Sequence, residues 1–500
     1  MQTKYGVYFG DLHSHNSVGL AQGSLERSFD IAREHLDFHA FTGHSQWHDM
    51  PRMPQDKQKK WADGFAVHTA RWPEVMEMNR ETYEPGKFVT FNGYEWHSSD
   101  CGDYCIIFPG DEAELFFVDS VEELAEKGRG YGAILCPHHA AYAKFWRGIV
   151  WDRMPSYACP IAETFSEHGN CFDDRGLEPM IRHSLGGRAT KGTVLWALLH
   201  GHRFGLVGGT DDHFACPGAW GEGLACVWAT ELTRNGIWEA LLARRTYAVT
   251  GDRIILQYTL NDAPMGSAVP FDPTRELRVR VEGMDELDTI EVHKNGRVVH
   301  TERVATVLPG DKFTGGRCKL RIRWGWGPWA ALNMARTCDW KGKLRVSHDA
   351  LVKATPIIQS GPLDDTRRDT FRDVSSRGLE FTSFTSRHQA YNEDPTKGVI
   401  LEFNGPPDTT IRMELTEPYE QLYEHTLGDL AESSSSHFVG QFAEESVLFH
   451  RLVVPQSYTC EFTWVDEDYH YASDDFYIIR VKQMNGQMAW SSPVWVNPRA

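Results

Sequence analysis

No apolar run reaches the roughly 18 residues that a membrane-spanning helix needs, so no transmembrane segment is expected. A basic excess is also missing. Lys and Arg number 51 against 69 Asp and Glu, a net charge of −18. That balance argues against non-specific nucleic-acid binding and against docking on an anionic membrane. It does not exclude an anionic substrate, because bound metal inverts the local field. There is no C-x-x-C pair among the ten cysteines. Cys101 and Cys105 have zinc-like spacing but no second pair follows, so the thiols read as reduced and packed. Met1-Gln2-Thr3-Lys4 leads almost directly into a strand-like run. That leaves no room for a signal peptide, and a cytoplasmic location is expected. No internal repeat occurs, and Ser433-Ser434-Ser435-Ser436 is the one low-complexity stretch.

What is present is a long chain with large cores. Its 500 residues, 41% of them hydrophobic and 12% aromatic, suggest two or three domains. Tyr5-Gly6-Val7-Tyr8-Phe9 reads as a strand and runs into Asp11-Leu12-His13-Ser14-His15. On an extended chain, residues two apart share a face, so His13 and His15 can converge on one atom. The pattern recurs. Phe38 to Thr42 ends in Gly43-His44, and Phe88 to Phe91 precedes Glu95 and His97. Cys105 to Phe108 follows Asp103, and Ala133 to Cys136 runs into Pro137-His138-His139. Ile161 to Phe165, which includes Glu163, leads to His168, and Phe204 to Gly209 delivers Asp211-Asp212-His213. Helices are expected at Ser24–His35 with Ser24 as N-cap, from the polar stretch after Asp49 towards Tyr83, at Val121–Lys127, at Thr193–Gly201 and at Arg234–Arg245.

Strands alternating with helices, with ligand-type residues at strand ends, predict an α/β barrel whose chemistry gathers at the carboxyl ends of its strands. Residues 1–252 are read as that catalytic barrel. After Gly251 the texture changes to alternating runs such as Leu277 to Val281 and Phe476 to Val481, with turns at Asn295-Gly296 and Asn485-Gly486. Residues 253–500 are therefore read as a β-rich, sandwich-like accessory domain.

The set Asp11-x-His13-x-His15, Thr42-x-His44, Glu95, Pro137-His138 and Asp211-x-His213 resembles the PHP superfamily, named for polymerase and histidinol phosphatase. Tyr8 to His13, Gly93-Tyr94-Glu95-Trp96, Pro137-His138-His139, the Arg245 to Ile254 segment and Ala489 to Pro493 are similar to an uncharacterised bacterial branch of it with an appended β domain. The resemblance implies a distorted seven-stranded barrel holding two or three divalent ions, Zn, Mn or Fe. His13, His15, Glu95 and Asp211 would hold the first. Glu95 would bridge to a second, with His138, and His44 and His213 would serve a third. The chain departs from the pattern in two places that bear on the third ion. Gly19 to Gln22 offers no ligand, and Gly43 stands where relatives carry Asp. Asp103 stands where a relative has His, and a carboxylate there leans towards Mn²⁺ or Fe²⁺ over Zn²⁺.

A water shared by two such ions is a nucleophile near neutral pH. The first functional reading is therefore a metal-dependent phosphoesterase on a small anionic substrate. The second is a hydrolase of an amide, ester or lactone, and the third is a non-catalytic metal- and ligand-binding protein. A phosphate pocket should show Arg or Lys near the ions; the candidates are Arg147, Arg188 and Lys191, with Arg153 and Arg182 behind them. His168 and Glu163 are candidates for ligand or proton donor, and His139 for ligand or acid. Glu95 and Asp211 join His168 and His139 as expected catalytic residues. Asp11 is expected to orient an imidazole. No nucleic-acid or membrane partner is expected, and a homo-oligomer is compatible with the sequence.

Overall fold

The aromatic and β-branched run at the amino end forms strand β1 (Gly6–Asp11), as its fit to a pleated surface predicts. The computed structural model describes residues 5–178, 180, 188–307, 313–325, 337–360, 364–386, 396–440, 446–468 and 474–497. Arg182, His183, Gly186, Gly187 and the Trp326 to Trp329 segment lie outside the described residues. β1 runs parallel to β2 (Phe38–Phe41), with Gly10 opposite Phe38. Glycine is required there, because a Cβ would lie 2.4 Å from the Phe38 carbonyl oxygen. Between them, α1 (Leu25–His35) starts where expected: the Ser24 hydroxyl accepts from the Arg27 N–H at 3.2 Å. Its Leu25, Phe29, Ile31 and Ala32 are buried.

The next elements are β3 (His44–Trp47), α2 (Lys57–Thr82), β4 (Val89–His97) and β5 (Tyr104–Ile107). They are followed by α3 (Val121–Arg129), β6 (Ile134–Pro137), β7 (Ile161–Ser166) and β8 (Gly169–Asn170). Then come α4 (Val194–Leu199), β9 (Gly205–Gly208), β10 (Leu224–Ala229), α5 (Arg234–Leu242) and β11 (Thr246–Val249). The helices fall close to their expected positions. The sheet does not follow the expected plan.

The expectation of a closed seven-stranded β/α barrel is overturned. The main sheet is open and runs β11-β10-β1-β2-β4-β5-β6, with β3 beside β4. β7, β8 and β9 form a separate sheet in the order β8-β7-β9. Among the described residues no sheet closes on itself, and the chain as a whole is β-rich. The reason is visible in the connections. A parallel pair needs a crossover of about a dozen residues or more. β4 and β5 are joined by the short segment 98–103, and they pair antiparallel. β5 and β6 are antiparallel too, and β10 returns antiparallel to both β1 and β11. One buried cluster nevertheless draws on both sheets, with Phe38, Phe91, Ile107, Ile161, Val207 and Val227 among its members.

The chain forms two compact units. The first comprises Met1–Glu282, Thr289–Arg303 and Glu461–Ala500; the second comprises Gly283–Asp288 and Val304–Cys460. The boundary expected at 252/253 falls inside the first unit. Met488–Ser491 extends the main sheet by pairing antiparallel with β11, and Asp475–Gln483 pairs with Met488–Ser491 in turn. The second unit contains two five-stranded antiparallel sheets. Trp324, from one, stacks on Phe381 of the other at 4.7 Å, and its indole N–H donates to the Ser383 hydroxyl at 3.1 Å. None of the ten cysteines is in a disulfide and eight are buried, as expected of packed thiols. Among the described residues no helix is long and apolar enough to cross a membrane.

Replacing Gly10 by Ala drives a methyl into the β2 backbone. Overpacking of this kind costs about 1–3 kcal/mol. Thermal denaturation should show a lowered midpoint for Gly10→Ala; an unchanged midpoint would mean that β1 and β2 can separate without penalty.

Candidate metal centre

Backbone pairing brings the strand-end residues together. Beyond β1, the His15 N–H donates to the Asp212 carbonyl at 2.9 Å, and the Asp211 N–H donates to the His13 carbonyl at 2.7 Å. On the other side, the Thr42 N–H donates to the Ser14 carbonyl at 3.0 Å. The segment carrying His13 and His15 is thus clamped between the ends of β2 and β9. His44 stands opposite Glu95 in the β3–β4 pair, Glu95 opposite Cys105, and Cys105 opposite Cys136. His138 follows Cys136 by two residues and so returns to the same face.

The result is a buried cluster of imidazoles and carboxylates. Glu95 is at its centre, and its two oxygens face different partners. Oε1 lies 2.8 Å from His138 Nε2 and 3.2 Å from His97 Nδ1. Oε2 lies 2.6 Å from His44 Nδ1 and 3.6 Å from His15 Nε2. Asp211 divides likewise. Oδ1 is 2.9 Å from His15 Nε2 and 3.3 Å from His13 Nε2, while Oδ2 is 2.7 Å from His168 Nε2. Asp103 Oδ2 accepts from His97 Nδ1 at 2.8 Å and from the Arg147 guanidinium. His13 Nδ1 pairs with Glu163 at 2.8 Å.

Hydrogen bonding alone does not satisfy this set. His13 Nε2, His15 Nδ1 and Glu95 Oε2 are buried without a hydrogen-bond partner. Some of these atoms sit at ion-pair distance from a neighbour yet lack hydrogen-bond directionality, an arrangement suited to lone pairs pointing at a shared third centre. His44 Nε2 faces His213 Nε2 at 3.2 Å, nitrogen to nitrogen. Compatible sets for a cation include His13, His15 and Asp211; Glu95, Asp103, His138 and His139; and His15, His44 and His213. The protonation states of four of these groups also fit. Burial, together with the charge of His213, pushes His15 down to about 3, and burial holds His44 well below the usual imidazole range. Both are neutral at pH 7, the form that binds metal. Burial alone would raise Glu95 and Asp211, but the surrounding histidines outweigh it and hold both carboxyls well below their ordinary range. Three histidines depart from this pattern: against burial, Asp211, Cys105 and Glu163 hold His13 well above the usual imidazole range, and Cys105 and Glu95 raise His138 to about 10. The third is His213. Against burial, its hydrogen bond to Glu167 and the charge of Asp211 raise it to about 9. An ion at the His15, His44 and His213 set has to displace that proton.

Three site residues, His139 (φ 32°), Arg147 (φ 68°) and Asp211 (φ 57°), adopt the left-handed backbone region that non-glycine residues seldom occupy. Such strain persists where the surroundings hold it, and it concentrates at functional sites.

The sequence candidates separate cleanly. His13, His15, His44, Glu95, Asp103, His138, His139, Arg147, His168, Asp211 and His213 come together. Arg188 does not join them: its guanidinium pairs with Asp174 at 2.9 Å. Lys191 is exposed on a short 3-10 turn, Thr190–Gly192. Neither lines the cleft over the cluster. Asp11 orients backbone rather than an imidazole, accepting from the N–H groups of His13, Thr210 and Gly218. Sequence reasoning did not single out Tyr142, whose hydroxyl lies 2.7 Å from His168 Nδ1, and it read Cys105 only as a packed thiol. Cys105 Sγ is 3.5 Å from His138 Nδ1. Nothing in the local sequence marks either residue; both are found only through strand register and the loop after His139.

Comparison with known proteins gives relatives without an assigned activity. Residues 22–106 and 219–259 match a family described as a protein of unknown function, DUF3604. An uncharacterized protein of Chlamydia muridarum is 31% identical over 268 residues, covering 47% of this chain and 42% of that protein. One from Chlamydia trachomatis serovar D is 35% identical over 268 residues, with the same coverage. The match spans about two fifths of the length of these curated relatives. Among solved structures, a two-domain protein from Bacteroides vulgatus containing a predicted PHP-like metal-dependent phosphoesterase aligns over 85% of this chain and 96% of its own. Its TM-score is 0.30 and its identity 12%, too slight to carry an argument about this chain.

Two expectations follow. Metal that binds only the folded state stabilises it by mass action, by about 4 kcal/mol at a thousandfold excess over Kd. Dialysis against a chelator should therefore lower the thermal midpoint, and Zn²⁺ or Mn²⁺ should restore it; no change on either step would mean the cluster holds no ion. A Cβ on Gly209 would lie 2.6 Å from Glu163 Oε2 and 2.8 Å from His13 Cβ. Gly209→Ala should therefore lower metal content by roughly the 10–100-fold in affinity typical of disturbed outer partners, measured by equilibrium dialysis.

Proposed function

We propose that the chain is a metal-dependent hydrolase of small phosphate esters, with Glu95 shared between two divalent ions. The observation that carries this reading is the division of the Glu95 oxygens between the His138 and His97 side and the His44 and His15 side. When bound, the ions neutralise charge on phosphoryl oxygens and acidify water to a usable nucleophile. Asp103 in one of the sets makes Mn²⁺ or Fe²⁺ the better match there.

The protein's own groups do the rest. Asp211 is ionised and can only accept, so the proton between it and His168 belongs to His168 Nε2. In the neutral ring, Nδ1 then accepts from the Tyr142 hydroxyl. Tyr142 and Asp211 between them fix the orientation of the ring, which as imidazolium is placed to give a proton to the leaving oxygen. His168 lines the cleft directly. Arg147 also lines it, held by Asp103 and lying 5.5 and 5.8 Å over the rings of Trp47 and Trp61. It neutralises carboxylate charge at Asp103 and at Glu95, whose Oε1 lies 3.5 Å from Nη2, and sets a fixed cation beside the cleft for a phosphoryl group. A cation beside the cluster favours phosphate over a neutral amide, ester or lactone. The presence of His13, His15, Glu95, His138 and Asp211 together speaks against a non-catalytic binding role.

The test is metal content per chain and phosphatase turnover, on the parent and on three variants. The parent should hold two equivalents. Glu95→Ala should lose at least one, with turnover. His168→Ala should keep its metal and lose about 10²–10⁴ in kcat, and Tyr142→Phe should lose less. Less than one equivalent in the parent after reconstitution with Zn²⁺, Mn²⁺ and Fe²⁺ would sink the proposal.

A further inference from the structure

The cleft above the cluster has a volume of about 900 Å³. That is at the upper end of small-ligand sites and far more than a phosphate group fills. Three residues of the cluster, His44, His168 and His213, line it. Its lining includes the apolar side chains of Leu20, Trp61, Val67 and Phe214. Trp61 is held in place by its neighbours, edge-on to Trp47 at 5.3 Å and against His44 at 4.8 Å. A fixed indole beside a metal cluster is a surface for a flat group.

The rim carries charge. Lys57 and Lys60, in the first turn of α2, both line the cleft. They are three residues apart and so share a helix face. Among the described residues neither has a carboxylate partner. Lys59, which does not line the cleft, pairs with Asp63 at 3.0 Å. The cleft's own carboxylates are engaged elsewhere: Asp63 by Lys59, and Glu167 by His213 Nδ1 at 3.3 Å. Arg147 is committed to Asp103. In a chain of net charge −18, two unpaired ammonium groups on one face of the cleft form a local excess of positive charge.

From this we infer that the substrate is a phosphate ester whose leaving group is planar and carries a second anionic group. The phosphate meets the cluster, the planar part lies along Trp61 and Phe214, and the second anion is gripped by Lys57 and Lys60. The inference rests on the phosphoesterase reading above.

Two non-hydrolysable probes separate the claims: phenylphosphonate, and 4-carboxyphenylphosphonate with its second anion. Binding to the metal-loaded protein is measured by calorimetry. Exposed ion pairs are weak individually, so the parent should prefer the carboxylated probe by roughly five- to tenfold. In the Lys57→Ala/Lys60→Ala double variant that preference should vanish while phenylphosphonate binds within twofold of the parent. Lys57→Arg/Lys60→Arg should keep it. Trp61→Ala should weaken both probes with the metal content unchanged. Equal affinity of the parent for the two probes, or a preference that survives the double alanine variant, overturns the inference and leaves the phosphoesterase reading standing. Failure of the loaded parent to bind either phosphonate defeats both.

Discussion

The constraint on which the site depends is the burial of many ionisable groups in one place. Carboxylates and imidazoles lose their hydration on burial, and only close partners make that tolerable. Glu95 is the pivot. It is almost wholly buried, and histidines from three separate strand ends surround it. Hydrogen bonds stabilise part of this set and leave several nitrogens and an oxygen on each of Glu95 and Glu163 unsatisfied. The remaining donors are grouped closely enough that they could hold a metal ion. The surrounding architecture can be read as support for that arrangement: clamped backbone beyond β1, register through β3 to β6, and three residues held at positive φ.

Much of the site was legible in the sequence because its ligands follow strand-like runs. Spacing of two residues puts His13 and His15 on one face whatever the sheet topology. The same local logic located His44, Glu95, His138 and Asp211. It failed for Arg188 and Lys191, because a glycine-rich loop with cations says nothing about what it faces. Arg188 found Asp174 instead. It also passed over Lys57 and Lys60, which read as ordinary solvated residues until α2 is seen to border the cleft.

The fold was less legible than the site. Alternating helices and strands suggested a closed parallel barrel, yet strand direction is set by connection length and by partners distant in sequence. The 98–103 segment is too short for a crossover, and β10 pairs with β1 across most of the first unit. No window of local periodicity contains that information. A closed barrel was inferred from where the ligands sit, and an open mixed sheet delivers them to the same place.

The first unit is discontinuous in sequence, with Val304–Cys460 of the second unit intervening before Glu461. Synthesis from the amino end therefore releases every metal-ligating candidate long before Met488–Ser491 emerges to join β11. During that interval β11 presents an unpaired edge, which is an invitation to wrong strand partners. The intervening unit has all its strands available first. The segment that pairs with β11 thus emerges only after the whole of the second unit, and until then that edge of the ligand-bearing sheet lacks its partner strand.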